Sequence, residues 1–121
     1  TAVGLGTGNL RQGAETKLRA AGVWERFAFG GFACDDDDRA TLLGVAAARG
    51  AASLSARPSD CRVVVIGDTP RDIAAAQAIG ASSVGVATSR YSVAALRACG
   101  ATHAVADMTS PTFLPALAGP R

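Results

Sequence analysis

The feature that most constrains this chain is the stretch Val63-Val64-Val65-Ile66-Gly67-Asp68-Thr69-Pro70-Arg71-Asp72. Four consecutive apolar residues, three of them Val, read as a strand buried on both faces, the pattern of a central strand in a parallel sheet. Gly67 ends the strand and Asp68 stands at its carboxyl end. Pro70 has its φ preset for the first turn of a helix, so Asp68 and Thr69 form a tight strand-to-helix turn. Asp72 falls just inside that helix, where the macrodipole favours an anion. Two carboxylates are therefore held at the mouth of a sheet, where open α/β folds place their ligands.

The rest of the chain repeats the same grammar. Ala2 to Leu5 reads as a strand running into the glycine turn Gly6-Thr7-Gly8-Asn9. A helix is expected over Gly13 to Ala21, with Ala14, Leu18 and Ala21 on one side and Gly22 as its stop. Phe27, Phe29 and Phe32 mark a second short strand with Trp24 packed beneath it. Ala40 to Ala48 reads as a helix capped by the acidic run Asp35 to Asp38 and stopped by Gly50. After a linker from Ser53 to Asp60 come the Val63 strand, a helix over Pro70 to Ile79, a strand over Ser83 to Ala87, a helix over Ser92 to Ala98 stopped by Gly100, a weaker strand over Thr102 to Ala106 and a short closing helix near Phe113 and Leu114. Strands alternating with helices predict an α/β fold, Rossmann-like, in three α/β/α layers around a mainly parallel sheet.

Composition excludes more than it assigns. With 121 residues, 49% hydrophobic and 18% charged, the chain has enough apolar surface for a core. A net charge of +2 gives no argument for nucleic acid or an anionic membrane, and no continuous apolar run has the length of a membrane span. No signal peptide is evident, so a cytoplasmic setting is the expectation. Cys34, Cys61 and Cys99 are odd in number and far apart, which favours buried small hydrophobes over a disulfide or metal set. His103, in the last strand, reads as a structural histidine, and Arg90 with Tyr91 as part of the rim.

Three strand ends carry groups suited to one anion. Thr7, flanked by Gly6 and Gly8, offers a hydroxyl and nearby backbone N–H groups. Arg39 brings a fixed positive charge before the second helix. Asp68 and Asp72 suit a hard divalent cation such as Mg²⁺. Hydroxyl, cation and metal-binding acids together describe a phosphoryl-transfer site.

Thr7-Gly8-Asn9, Arg39 and Gly67-Asp68-Thr69-Pro70-Arg71-Asp72 resemble the second, third and fourth motifs of the haloacid dehalogenase (HAD) superfamily, in particular its phosphoglycolate-phosphatase-like hydrolases. The resemblance runs from about Ala2 to Leu117. It implies that Asp68 binds Mg²⁺, that Asp72 supports the ion or its water shell, that Thr7, Gly8 and Asn9 hold the phosphoryl group, and that Arg39 stands where the family usually has Lys. Lys17, the single lysine, falls inside the first helix. Arg offers a fork where Lys offers a point charge, so that exchange is not neutral.

The family's first motif is a strand ending in Asp-x-Asp, which supplies an aspartate nucleophile, and nothing before Thr7 can hold it. Asp35 to Asp38 contains a formal Asp-x-Asp, but Arg39 follows it and the motif order is wrong. The resemblance therefore implies residues 1–121 as a partial core domain, incomplete at its central nucleophile strand, with any large cap N-terminal to residue 1. The function expected is a Mg²⁺-dependent phosphatase for a small phosphorylated metabolite, inactive as this segment alone. The sequence leaves the oligomeric state open. Two other readings remain. Gly4-Leu5-Gly6-Thr7-Gly8 resembles the glycine loop of S-adenosylmethionine methyltransferases, though it leaves Asp68 and Asp72 unexplained. The absent nucleophile also suits a non-catalytic α/β module.

Overall fold

The computed structural model describes residues 3–7, 11–27, 29–32 and 38–117. The chain divides into two compact units, Thr1–Cys61 and Arg62–Arg121.

In the first unit β1 (Gly4–Gly6) pairs in parallel with β2 (Phe29–Gly31), in the register Gly4 to Phe29, Leu5 to Gly30 and Gly6 to Gly31. The Thr7 N–H extends the ladder by donating to the Gly31 carbonyl at 3.1 Å. Between these strands run α1 (Arg11–Ala20) and a single 3₁₀ turn at Trp24–Arg26, and the Trp24 ring lies against Phe32 at a centroid distance of 6.4 Å. The helix α2 (Arg39–Ser53) packs on both strands and is followed by a 3₁₀ turn at Pro58–Asp60. Asp38 caps α2 by accepting from the Thr41 N–H and hydroxyl, each at 2.9 Å.

Gly50 does not stop α2 as expected. The helix continues to Ser53, and a Cβ at Gly50 would lie 2.6 Å from Phe29 Cζ, so the glycine makes room for a ring instead of ending a helix. Gly22 and Gly100 do follow helix ends, with φ of 74° and 98° that side chains rarely adopt.

The second unit holds β3 (Val64–Gly67), α3 (Pro70–Ala78), β4 (Ser82–Val86), α4 (Val93–Ala98), β5 (His103–Val105) and α5 (Phe113–Leu117). Its sheet has the order β3-β4-β5, parallel throughout. The twofold alternation of strand side chains sorts the helices onto opposite faces. Val84, Val86 and Val105 pack with Phe113 and Ala116 of α5. On the other face Ala104 packs with Ile73 of α3 and Leu96 of α4, and Leu96 also covers Gly85. Helix, sheet and helix therefore form three layers, and burying Ile73 and Leu96 contributes about 1.5–3 kcal/mol each. The buried Ser83 is satisfied by a reciprocal pair: its N–H donates to Thr102 Oγ1 at 3.0 Å and its Oγ accepts from the Thr102 N–H at 3.2 Å.

The central strand of this sheet is β4, whose residues Ser83 to Val86 are all buried. The expectation of a strand buried on both faces at Val63 to Ile66 is corrected: among the described residues β3 pairs with β4 alone, Val64 and Val65 are half-buried, and Ile66 is 42% exposed. Two cysteines also depart from expectation, since Cys61 is half-buried and Cys99 is exposed; Cys34 lies outside the described residues. His103 opens β5, in the last strand as expected, and is exposed. No helix among the described residues is long and apolar enough to cross a membrane.

Candidate active site

The Asp68 turn forms for local reasons. Thr69 is the N-cap of α3 with extended φ and ψ, Pro70 follows at the first helical position, and Asp72 stands at the third. The Asp72 carboxylate folds back on the cap residue, where Oδ2 accepts from the Thr69 N–H at 3.1 Å and from the Thr69 hydroxyl at 2.9 Å. This arrangement requires Gly67. A Cβ there would lie 2.3 Å from Asp72 Cβ and 2.6 Å from both Cγ and Oδ2, so the carboxylate occupies space that any other residue would fill. Asp68 is half-buried at the carboxyl end of β3.

The neighbouring strand ends contribute polar groups of their own. Ser89, beyond β4, donates its hydroxyl to the Asp68 carbonyl oxygen at 2.9 Å. Sequence reasoning missed this contact, because the two residues are 21 positions apart and a lone serine in a loop carries no signal. Arg90 is exposed over the Tyr91 ring at 5.5 Å, a cation–π placement that keeps it on the rim as expected. Beyond β5, Asp107 Oδ1 accepts from the Thr109 N–H at 2.7 Å and from the Thr109 hydroxyl. The hydroxyl bond, then the backbone bond, holds the Asp107 carboxyl below the usual carboxylate range.

Thr7 and Arg39 belong to the first unit. Thr7 is half-buried directly after β1. Arg39 is the first residue of α2, one turn before Leu43, whose Cδ2 covers Gly6. That packing sets Leu43, in the second turn of α2, against the carboxyl end of β1. A cation in the first turn opposes the helix dipole. Gly8 and Asn9 lie outside the described residues. Gly4 and Gly6, which the methyltransferase reading needs in a loop, are strand residues, and the Phe29 ring lies where a Cβ of Gly4 would be.

Two carboxylates and water are an ordinary donor set for Mg²⁺, which binds through one or two carboxylates and keeps much of its hydration. Asp68 and Asp72 fit that chemistry. Among the described residues, no group of three or more His, Cys, Asp or Glu side chains is placed to hold a metal.

A family model described as HAD-hydrolase-like matches residues 41–111, which is over half of the chain. The match takes in Asp68, Asp72 and Ser89 and leaves Thr7 and Arg39 outside it. No curated protein matches the chain. The parallel α/β architecture, the Gly-Asp-x-x-x-Asp turn and the length of the match agree, and the chain belongs to the HAD-hydrolase-like family.

Proposed function

We propose that these residues form the metal- and phosphate-binding part of a Mg²⁺-dependent HAD-type phosphatase acting on a small phosphate monoester. The observation that carries the reading is the Asp68-Thr69-Asp72 turn at the carboxyl end of β3, with Asp72 fixed on the cap and Asp68 at the strand end. Asp68 holds Mg²⁺ directly and Asp72 orders its water shell. The ion, when bound, neutralises charge on the phosphoryl oxygens. Thr7, Gly8 and Asn9 donate to the phosphoryl group and Arg39 supplies a second positive charge, roles that follow from the family's motif order.

The nucleophile of this reaction is an aspartate outside these residues, on a strand that pairs with the open edge of β3. Its carboxylate attacks phosphorus, the alcohol leaves, and water then hydrolyses the aspartyl phosphate. Supporting this are the three apolar side chains of a strand that is half-buried and, among the described residues, paired with β4 alone.

The test has two arms. The 121-residue chain should bind Mn²⁺, used as a paramagnetic Mg²⁺ substitute, and Asp68→Asn should abolish that binding. A longer chain with an upstream Asp-x-Asp strand should hydrolyse a generic phosphate monoester only with Mg²⁺ and only with Asp68 intact. Wild-type hydrolysis by the Asp68→Asn variant refutes the assignment.

A further inference from the structure

The Asp68–Thr69 peptide unit is gripped from both sides. Its carbonyl oxygen accepts the Ser89 hydroxyl at 2.9 Å, and its N–H donates to Asp72 Oδ2 at 3.1 Å. A peptide unit is planar, so hydrogen bonds at its two opposite edges restrict its rotation and with it the ψ of Asp68. Among the described residues β3 pairs with β4 alone, so the Ser89 bond adds a second tie to its carboxyl end.

Ser89 is well placed to give it, because its own loop is anchored at both ends. The Ala87 N–H donates to the Val105 carbonyl at 2.9 Å, continuing the β4–β5 ladder. On the far side Tyr91 is half-buried against the cluster of Ile73, Leu96 and Ala104, and Ser92 caps α4 by accepting from the Ala95 N–H at 3.0 Å. One hydroxyl in the middle of this fixed loop therefore ties the end of β3 to the centre of the sheet.

We propose that Ser89 is a positioning residue of the metal turn, setting the Asp68–Thr69 peptide so that the Asp68 and Asp72 carboxylates face one hydrated divalent cation. The inference rests on the metal-binding reading of Asp68. Ser89 touches neither metal nor substrate. It acts through the backbone, one bond further out than a partner of the ligand carboxylate itself, so its removal should cost less than the loss of such a partner.

The experiment uses the 121-residue chain and Mn²⁺ alone, with free ion followed by electron paramagnetic resonance and the bound position by broadening of amide signals. Ser89→Ala should bind Mn²⁺ about three- to tenfold more weakly than wild type while remaining folded, the size expected for one neutral hydrogen bond. Ser89→Thr, which keeps the hydroxyl, should restore most of the affinity, and Thr88→Ala in the same loop should match wild type. In the metal-free protein Ser89→Ala should also speed exchange of the Thr69 amide by a similar factor, because the peptide it belongs to has lost one anchor. If Asp68→Asn abolishes binding while Ser89→Ala binds as wild type, the positioning role is overturned and the metal site stands. Equal losses in Ser89→Thr and Ser89→Ala overturn it as well. Wild-type protein that binds no Mn²⁺ overturns the metal reading and the inference with it.

Discussion

Replacing Gly67 by Ala is the sharpest perturbation of the Asp68 turn, because its sign is set by a single contact. Gly67 does not have a positive φ, so the backbone accepts alanine, and the reduced freedom of the unfolded chain would by itself stabilise the protein by about 0.4–1 kcal/mol. Against this stands a new Cβ 2.3 Å from Asp72 Cβ. Both atoms are bound directly to backbone, so neither can rotate away, and ordinary contact requires a shift of about 1 Å. Overpacking of this kind costs about 1–3 kcal/mol. The same shift carries the Asp72 carboxylate away from the Thr69 N–H and hydroxyl, and a lost capping interaction adds about 1 kcal/mol. With the unfolded-state gain subtracted, the net expectation is destabilisation by about 1–3.5 kcal/mol.

Two companion substitutions separate the clash from the lost hydrogen bonds. Asp72→Ala removes the carboxylate and keeps the Cβ, so Gly67→Ala should remain costly in that background. Asp72→Gly removes the Cβ too, and there Gly67→Ala should change stability by less than about 0.5 kcal/mol, a coupling of about 1 kcal/mol or more. Urea titration followed by far-ultraviolet circular dichroism gives the free energies, and exchange of the Ile73 and Val84 amides assigns the loss to the second unit. Trp24 fluorescence is the wrong probe, since the single tryptophan lies in the first unit. A cost below about 0.5 kcal/mol for Gly67→Ala, or a penalty that persists with glycine at position 72, refutes the steric argument.

Two further outcomes follow from the same kind of geometry. Gly50→Ala places a better helix former inside α2, a gain of about 1 kcal/mol on propensity, yet it should destabilise the chain, because Phe29 Cζ lies 2.6 Å from the new Cβ and the same ring already covers Gly4. A higher melting temperature for Gly50→Ala would show that the ring can move. The Asp38 carboxyl is held below its usual range by the Thr41 N–H and then by the Thr41 hydroxyl, and Asp107 is held low by Thr109. Each stabilises the fold fully above the unfolded carboxylate value of about 3.9, and that contribution is lost as pH falls through the depressed folded value. Urea midpoints measured downward from pH 5 should therefore decline below about pH 4. Asp38→Asn, which keeps a capping side chain, should show a shallower decline, and an identical slope in the variant would contradict the cause given for the Asp38 shift.

What was legible in the sequence was the chemistry that neighbours in the chain decide among themselves. Pro70 and the acid at Asp72 predict a helix start, and α3 begins at Pro70 with Asp72 in its first turn. The strand-helix alternation from Val63 onward gave the parallel α/β architecture, and the acidic run before α2 gave its cap at Asp38. Contacts between distant residues were not legible. Gly50 looked like a helix stop because its use, admitting the Phe29 ring, involves a residue 21 positions away. The Ser89 bond to Asp68 was invisible for the same reason, and the exposure of Cys99 and His103 depends on packing that no local pattern encodes.

The remaining discrepancy, at β3, is the most informative. A strand of Val64, Val65 and Ile66 is an unusual edge, since edges are commonly managed with charge or proline and this one, though only four residues long, has neither. Alternation puts Ile66 on the same face as Val64, which packs against the α5 cluster, yet Ile66 is left 42% exposed. Meanwhile β4, with a strand on each side and helices on both faces, buries Ser83 to Val86 with a serine and a glycine among them. The more apolar strand thus has the poorer cover. A partner strand on the open edge, with its own helix over Ile66, would resolve the mismatch. It would also turn the edge carrying Asp68 into the middle of a wider sheet, the position from which a neighbouring strand could present a nucleophile.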